Sequence, residues 1–445
     1  MALQPPFLSI FDPPESGEGS IDPLSLMATY ENLAERIYPY ITVRMARPRF
    51  LTAMVVGARV CGEFIDELAA DEVTPAWLVF EWYVVEAFIR CMQDYPATQM
   101  SRISGTRKVQ NALKDGRRVS AATYLKIPQV FGFSGVYRRL ARGLKILSDD
   151  LEIDEGGFEL LSAWEKEQGL KGFWGEQKGT GAEFREELRR AVREGMKRGY
   201  VIRKDKSWWE TLARHLRPGG ARKGEAECIA RQLFSADLRP TTNDPMAEHM
   251  RCEMLGHIQK HGQPVGREEE PIFFRKVMRQ ASPELRDRLE HIDAYEGVGR
   301  IVDDALRLIL YLSTEKGAVP VTEKDFSATN LARQLTGELP AAIERLERCA
   351  PGMEGMEAVT RLLVRNSGIR KPQALFQTVL AHHEEAQQHK PPDGKRPWLD
   401  RIGAGVVVRT PYRSNRPPAG VDRYVFPYRT SSVCSFLVDL KRLQP

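Results

Sequence analysis

Ser101–Leu147, SRISGTRKVQNALKDGRRVSAATYLKIPQVFGFSGVYRRLARGLKIL, runs directly into Ser148–Glu165, SDDLEIDEGGFELLSAWE. The first stretch carries eleven bases (Arg102, Arg107, Lys108, Lys114, Arg117, Arg118, Lys126, Arg138, Arg139, Arg142 and Lys145) against one acid, Asp115. The second carries seven acids and no base. The whole chain is only +5, so the clustering, rather than the net charge, is the informative quantity.

The stretch also has a helix-turn-helix grammar. Ser120 is placed to cap a short helix through Lys126, with Ala121, Tyr124 and Leu125 on its apolar side. Pro128 and Gly132 interrupt the chain, and Ser134 then caps a second helix, Gly135 to Lys145. There Val136, Leu140 and Leu144 recur four apart as a buried stripe. Arg138, Arg142 and Lys145 fall on another face, with Arg139 beside them. Lys145-Ile146-Leu147, a turn at Ser148-Asp149-Asp150, and Leu151-Glu152-Ile153 read as a small hairpin. Phe158, Leu161 and Trp164 then open the next helix. A basic helix between a turn and a hairpin is how winged helices present themselves to a groove or to phosphates. The competing reading is a winged fold used only between proteins, its bases solvated.

At 445 residues the chain is long enough for about two to four domains. Hydrophobic content of 42% with 28% charged residues is that of a globular protein, not a disordered one. A pI near 8.8 permits an anionic partner without requiring one. Six cysteines lie far apart with no Cys-x-x-Cys, a usage expected of a reduced, cytoplasmic protein. No positively charged start leads into an apolar run after Met1, so no signal peptide is expected. The most apolar segment, Ala76 to Cys91, is interrupted by Glu81, Glu86 and Arg90 and is too short to span a bilayer; no membrane partner is expected.

Proline pairs and a Gly/Ser/Glu run predict an irregular arm over residues 1–24, then a helix from Leu24 to Ile37. Pro48 suits the first turn of a helix reaching about Leu68. Thr74-Pro75 starts another, Ala76 to Met92, apolar on nearly every face and expected to be the central buried helix of an N-terminal helical domain. Glu86 in its middle requires a cation, since a lone buried carboxylate is costly. Arg47 or Arg49 is the expected partner, or Arg90 at i+4, in a structural ion pair.

The series Tyr38-Pro39, Thr42-Val43-Arg44 and Arg47-Pro48-Arg49-Phe50, followed by a Trp/Glu-rich helix and Tyr137-Arg138-Arg139-Leu140, resembles an uncharacterised family of bacterial proteins. Members are encoded in phage-defence islands beside helicases and nucleases. The resemblance covers roughly residues 1–170, and Phe436–Leu440 extends it. It implies a subunit of an anti-phage or genome-maintenance assembly and carries over no catalytic residue.

Beyond Gly169 the pattern is helical and polar. Lys171–Gly175 and Lys178–Gly181 read as a linker-like break; Gly179-Thr180-Gly181 lacks the Gly-Lys-Ser/Thr that would make it a phosphate loop. Helices are expected at about 183–198, 207–216, 222–235, 245–261, 268–280, 283–314, 322–334, 339–348 and 356–390, the last split near Gly368–Pro372. Gly297 and Gly299 are candidate breaks within 283–314. No fixed-period repeat is evident. From Lys395 to Arg429, eight bases interleave with Trp398, Tyr412, Tyr424, Phe426 and Tyr428. Arginine beside aromatics suits phosphate and base contact, while the alternative is a hairpin clipping onto the body. Val406–Val408 and Tyr424–Phe426 read as its strands, and Ser431 to Arg442 as a closing helix.

Constellations for chemistry are sparse. His249, Cys252, His257 and His261 share one helix without the second element a zinc site needs. Asp439-Leu440-Lys441 with Asp422 mimics a metal-dependent nuclease but sits in a helical pattern. No metal and no cofactor are expected.

The chain therefore reads as a mainly α, multi-domain protein with a winged-helix-like module and a short C-terminal β-hairpin. Its expected segments are 1–100 (N-terminal helical domain), 101–170 (winged-helix-like module), 171–394 (helical array) and 395–445 (basic aromatic tail). The leading function is a non-enzymatic nucleic-acid-binding scaffold subunit of a bacterial defence or DNA-maintenance complex, partnering DNA or RNA and a helicase or nuclease. Arg138, Arg139, Arg142 and Lys145 are the expected groove contacts; Arg107, Lys108, Arg117 and Arg118 add phosphate contacts, as do Arg409, Arg413 and Arg416. The alternatives are a protein–protein adaptor for an ATPase or helicase, and a metal-dependent nuclease.

Overall fold

A computed structural model describes residues 22–235, 246–262, 264, 269–353, 355–391, 393–418 and 420–444. The irregular arm expected over residues 1–24 therefore lies outside the described residues except for its last three. Helices dominate. In chain order they are α1 Met27–Ile37, α2 Phe50–Cys61, α3 Ala76–Arg90, α4 Ala97–Met100, α5 Thr106–Lys114, α6 Pro128–Phe131, α7 Phe133–Gly143, α8 Glu155–Gln168 and α9 Thr180–Arg198. There follow α10 Lys206–Leu216, α11 Lys223–Leu233, α12 Ala247–His261, α13 Glu269–Met278, α14 Pro283–Lys316 and α15 Glu323–Ser327. Last come α16 Asn330–Cys349, α17 Met356–Asn366, α18 Pro372–Gln388 and α19 Thr430–Asp439. One antiparallel hairpin, β1 Leu399–Ile402 with β2 Gly405–Val408, precedes α19. Among the described residues no helix is long and apolar enough to cross a membrane, and all six cysteines are free thiols.

The chain divides into two compact units, each discontinuous in sequence. One comprises the described residues of Met1–Leu33 and Val265–Pro427; the other comprises those of Ala34–Pro264 and Tyr428–Pro445.

The second unit is built on α3. With Leu78, Val79, Trp82, Val85 and Phe88 all buried, this helix offers no polar face to solvent and is surrounded by α2, α5, α7, α9 and α10. Its two internal acids are handled separately. Glu86 pairs with Arg90 one turn on, at 2.7 Å, which is the i+4 solution; burial pushes its carboxyl up and the Arg90 hydrogen bond opposes this. Arg47 and Arg49 are committed elsewhere. Arg47 meets Asp439 at 2.7 Å, and Arg49 meets Glu225 at 2.8 Å.

The first unit is built on α14, which runs unbroken for 34 residues through Gly297 and Gly299. Its N-terminus is set by Ser282, whose hydroxyl accepts from Leu285 N–H, and by Pro283 at the first helical position. Buried Asp293, Asp303 and Asp304 on this helix are met by guanidinium groups from outside it: Arg275 and Arg345 for Asp293, and Arg423 for the other two. The expected pair 322–334 and 339–348 is instead a one-turn helix, α15, and a 20-residue helix that carries Pro340 in its interior. Thr329 capping Ala332 N–H places the break earlier than the sequence pattern did.

Strand β2 pairs with Leu399–Ile402, not with Tyr424–Phe426. Val425 N–H goes to the Glu296 carboxylate at 2.6 Å instead of to a ladder. Val406 adds a bridge to Val321, with both backbone bonds at 2.9 Å. The tail up to Pro427 is thus part of the packing of this unit.

Candidate nucleic-acid interface

Helix α7 is positioned by buried groups. At its N-terminus the Glu81 carboxylate accepts from Ser134 N–H at 2.9 Å and from the Tyr124 hydroxyl at 2.7 Å. A negative group here complements the helix dipole, while burial pushes the Glu81 carboxyl up. Val136, Tyr137, Leu140 and Leu144 face inward. The Tyr137 hydroxyl accepts from Ala46 N–H at 2.9 Å and Arg47 N–H at 2.8 Å, fixing the helix to the Arg47-Pro48-Arg49 segment.

The flanks differ from the sequence expectation. Ser120–Lys126 is a single turn, not a helix, because Ser120 bridges to Tyr200 and the Thr123 hydroxyl donates back to Arg118 C=O at 2.7 Å. The short helix lies later, at α6. Of the expected hairpin, one bridge forms, Leu147 to Ile153.

The basic face of α7 is largely engaged by acids of the same unit. Arg138 donates to the Asp149 carbonyl at 2.9 Å, Arg142 pairs with the Asp149 carboxylate, and Arg139 pairs with Glu35 at 2.9 Å. The acidic turn folds back over the basic helix. Lys145 is half-buried with a positive φ of 52°. These pairs are partly exposed (Arg139 58%, Arg142 38%), so each is worth about 1 kcal/mol or less. They lower the local field without locking the helix.

A cleaner basic surface lies on α5. Gly105, with φ +79°, starts it. Val109 and Ala112 face α3, leaving Arg107, Lys108, Asn111 and Lys114 exposed. Among the described residues, Arg107, Lys108 and Lys114 form no ion pair. Gly116, at φ +69°, turns the chain. Arg117 pairs with Asp115, both more than half exposed, and Arg118 follows. Val201 N–H then donates to Val119 C=O at 2.8 Å. This lays Arg117 and Arg118 alongside the chain that carries exposed Arg203. Cations from α5 and from the turn after it are thus joined by Arg203 of the neighbouring extended segment.

The tail contributes less than its composition implied. Tyr424 is buried and donates to Asp293 at 3.2 Å; Phe426 stacks on Tyr30 at 4.6 Å; Trp398 stacks on Tyr412 at 4.6 Å. Arg423 is held by Asp303 and Asp304, and Arg429 by Glu35. Arg409 lies 5.9 Å from the Tyr412 ring, and Arg413 and Arg416 are exposed.

Asp439 is ion-paired to Arg47 and Asp422 to Arg275. Cys252 donates to Phe234 C=O, and the His257 and His261 rings stack on each other. No group of three or more His, Cys, Asp or Glu side chains is arranged to hold a metal ion among the described residues.

No family model, curated protein or solved structure matches this chain. Its function therefore rests on its own geometry.

Sequence reasoning found the bases of α5 but not the helix that displays them. The signal was present: Val109 and Ala112 three apart, bracketed by cations. Three bases within nine residues masked the short apolar stripe.

Proposed function

We propose that the chain is a non-enzymatic nucleic-acid-binding subunit whose principal contact is the α5 row, Arg107, Lys108 and Lys114, continued by Arg117 and Arg118. What carries the reading is that these α5 cations have no carboxylate partner of their own among the described residues, whereas Arg139, Arg142, Arg423 and Arg429 do. Cations held in place without counter-charges are what a polyanion exploits: binding releases its condensed counterions, and affinity falls steeply with salt. Helix α7 is a secondary contact, its arginines available once a phosphate competes with Asp149 and Glu35. In this reading residues 101–170 act as a winged-helix-like module whose wing is a one-bridge turn. In this reading, and on the resemblance of residues 1–170, the subunit would serve a bacterial anti-phage or DNA-maintenance assembly beside a helicase or nuclease. The six free thiols agree with a cytoplasmic setting.

The test is fluorescence anisotropy with duplex DNA, single strands and RNA at about 50 and 200 mM salt. Replacing Arg107, Lys108 and Lys114 together by Ala is expected to weaken binding about tenfold or more and to reduce the salt slope by roughly 2–3. Unchanged affinity removes the assignment.

An adaptor role has its own support. Ile127, Val130 and Phe131, around α6, are 41–48% exposed, an apolar ridge suited to a protein partner. Loss of a co-purifying helicase or nuclease on Val130→Asp, with nucleic-acid affinity unchanged, supports that second role.

A further inference from the structure

The segment Gly169-Leu-Lys-Gly-Phe-Trp-Gly-Glu-Gln-Lys-Gly-Thr180 reads as a linker, yet its backbone is fixed from both sides. From α8, the Glu165 carboxylate accepts from Gly172 N–H at 2.8 Å and Trp174 N–H at 3.0 Å. From α9, Arg185 is 5% exposed, and its guanidinium donates to Gly172, Phe173 and Glu176 carbonyls at 2.6–3.0 Å. The Thr180 hydroxyl donates to Gly169 C=O. Gly172 and Gly179 take φ of +87° and +117°, which L side chains adopt only with strain. Phe173 is buried edge-on against Trp164.

This frame holds one large apolar group outside the core. Trp174 is 41% exposed, with Phe158, 43% exposed, edge-on at 4.6 Å. The Arg59 guanidinium sits 5.3 Å from the Trp174 ring centre and donates to the Trp174 carbonyl. Burial, followed by the nearby Arg189 and Arg185, depresses the Arg59 pKa, partly offset by Glu63 and Glu186. Arg59 is thus the cation against the indole, and Arg185 and Arg189 lie near Arg59 with Glu63 and Glu186. In front of it opens a cavity of about 670 Å³ whose rim includes exposed Lys166 and Lys171. That is within the ~300–1,000 Å³ of small-ligand pockets. Of the lining acids, Glu165 is occupied by two amides, leaving Glu176.

We infer that Trp174 is a stacking platform for one unpaired nucleobase, with Lys166 and Lys171 holding the adjoining phosphate. An exposed indole on a rigid loop supplies the planar contact, and the cations select a planar group that carries negative charge. Single-stranded nucleic acid offers both together; a duplex keeps its bases in the stack. The inference rests on the nucleic-acid reading above but concerns a different contact and a different strand state.

The full chain is titrated by anisotropy with a 12-nucleotide oligothymidine and with a 12-base-pair duplex. Trp174→Ala is expected to weaken single-strand binding roughly five- to a hundredfold, Trp174→Phe to restore most of it, and both to leave duplex binding unchanged. Adenosine monophosphate is expected to quench tryptophan emission in the parent protein and not in Trp174→Phe. Single-strand affinity unaltered by Trp174→Ala overturns the platform. If the duplex still binds through α5 in that case, the nucleic-acid reading survives; if neither strand state binds the parent protein, both fall.

Discussion

Arg49 Nε lies 2.8 Å from Glu225 Oε1, and the two side chains are 1% and 0% exposed. Every nitrogen of the guanidinium is used: Nε and Nη2 grip the two carboxylate oxygens, Nη2 also reaches His215 C=O, and Nη1 reaches Arg217 C=O. Thr52 Oγ1 donates to the same carboxylate. One arginine thereby joins the start of α2 to the C-terminal end of α10 and the first turn of α11.

Removing one partner leaves the other charge buried and unpaired. Arg49→Ala is expected to destabilise the unit containing it by about 3–5 kcal/mol, and Arg49→Met with Glu225→Leu by much less. Urea denaturation followed by tryptophan emission measures this, because six of the seven tryptophans (77, 82, 164, 174, 208 and 209) belong to that unit.

Tyr137→Phe removes a single oxygen, but that oxygen accepts two backbone amides, Ala46 and Arg47. A loss of about 1–3 kcal/mol is expected in the same assay, from donors left unsatisfied in a buried place. A loss below about 0.5 kcal/mol would mean that the amides find another acceptor.

Asp149 holds Arg142 by its carboxylate and Arg138 by its carbonyl. Asp149→Asn is expected to tighten duplex binding at low salt by a few fold. Conversely, Ala at Arg138, Arg139 and Arg142 together should weaken it less than Ala at Arg107, Lys108 and Lys114. Anisotropy at two salt concentrations separates the two rows, and the reverse ranking would return α7 to first place.

Three histidines resist protonation in the fold. Burial, followed by neighbouring arginines, holds His215 down to about 4; burial and Arg365 hold His382 down to about 3; burial also lowers His383. His383 Nε2 accepts from Trp398 N–H at 2.9 Å, and protonating it breaks that bond. With folded values below the unfolded ~6.5, the unfolded chain binds more protons as the medium acidifies. Stability contributed by these groups is complete above pH ~6.5 and falls as pH drops toward 4. Denaturation midpoints at pH 7, 6, 5 and 4 check this, and His215→Phe should make the fall in its unit shallower.

How much of this was legible in the sequence follows from the range of the forces involved. Helix α3 was readable because apolar residues on every face admit only a buried helix, and Pro75 marks its start. The start of α14 was readable for the same local reason, a capping serine before a proline. The strand expected at Tyr424–Phe426 was not, because its alternation is local while Glu296, which takes the Val425 amide, lies 129 residues away. The loop around Trp174 read as a linker because glycines announce flexibility in a sequence and leave no trace of Arg185 holding their carbonyls. Charge clustering correctly located the bases but carries no sign of which acid folds back on which arginine.

The 392 residues separating Arg47 from Asp439 also set a timetable. At roughly 5–20 residues per second, the ribosome delivers the carboxylate about 20–80 s after the guanidinium. Until then α19 does not exist, and the nascent chain exposes the surface on which Phe436 meets the Tyr137 ring. The interval is a window for a chaperone, or for aggregation.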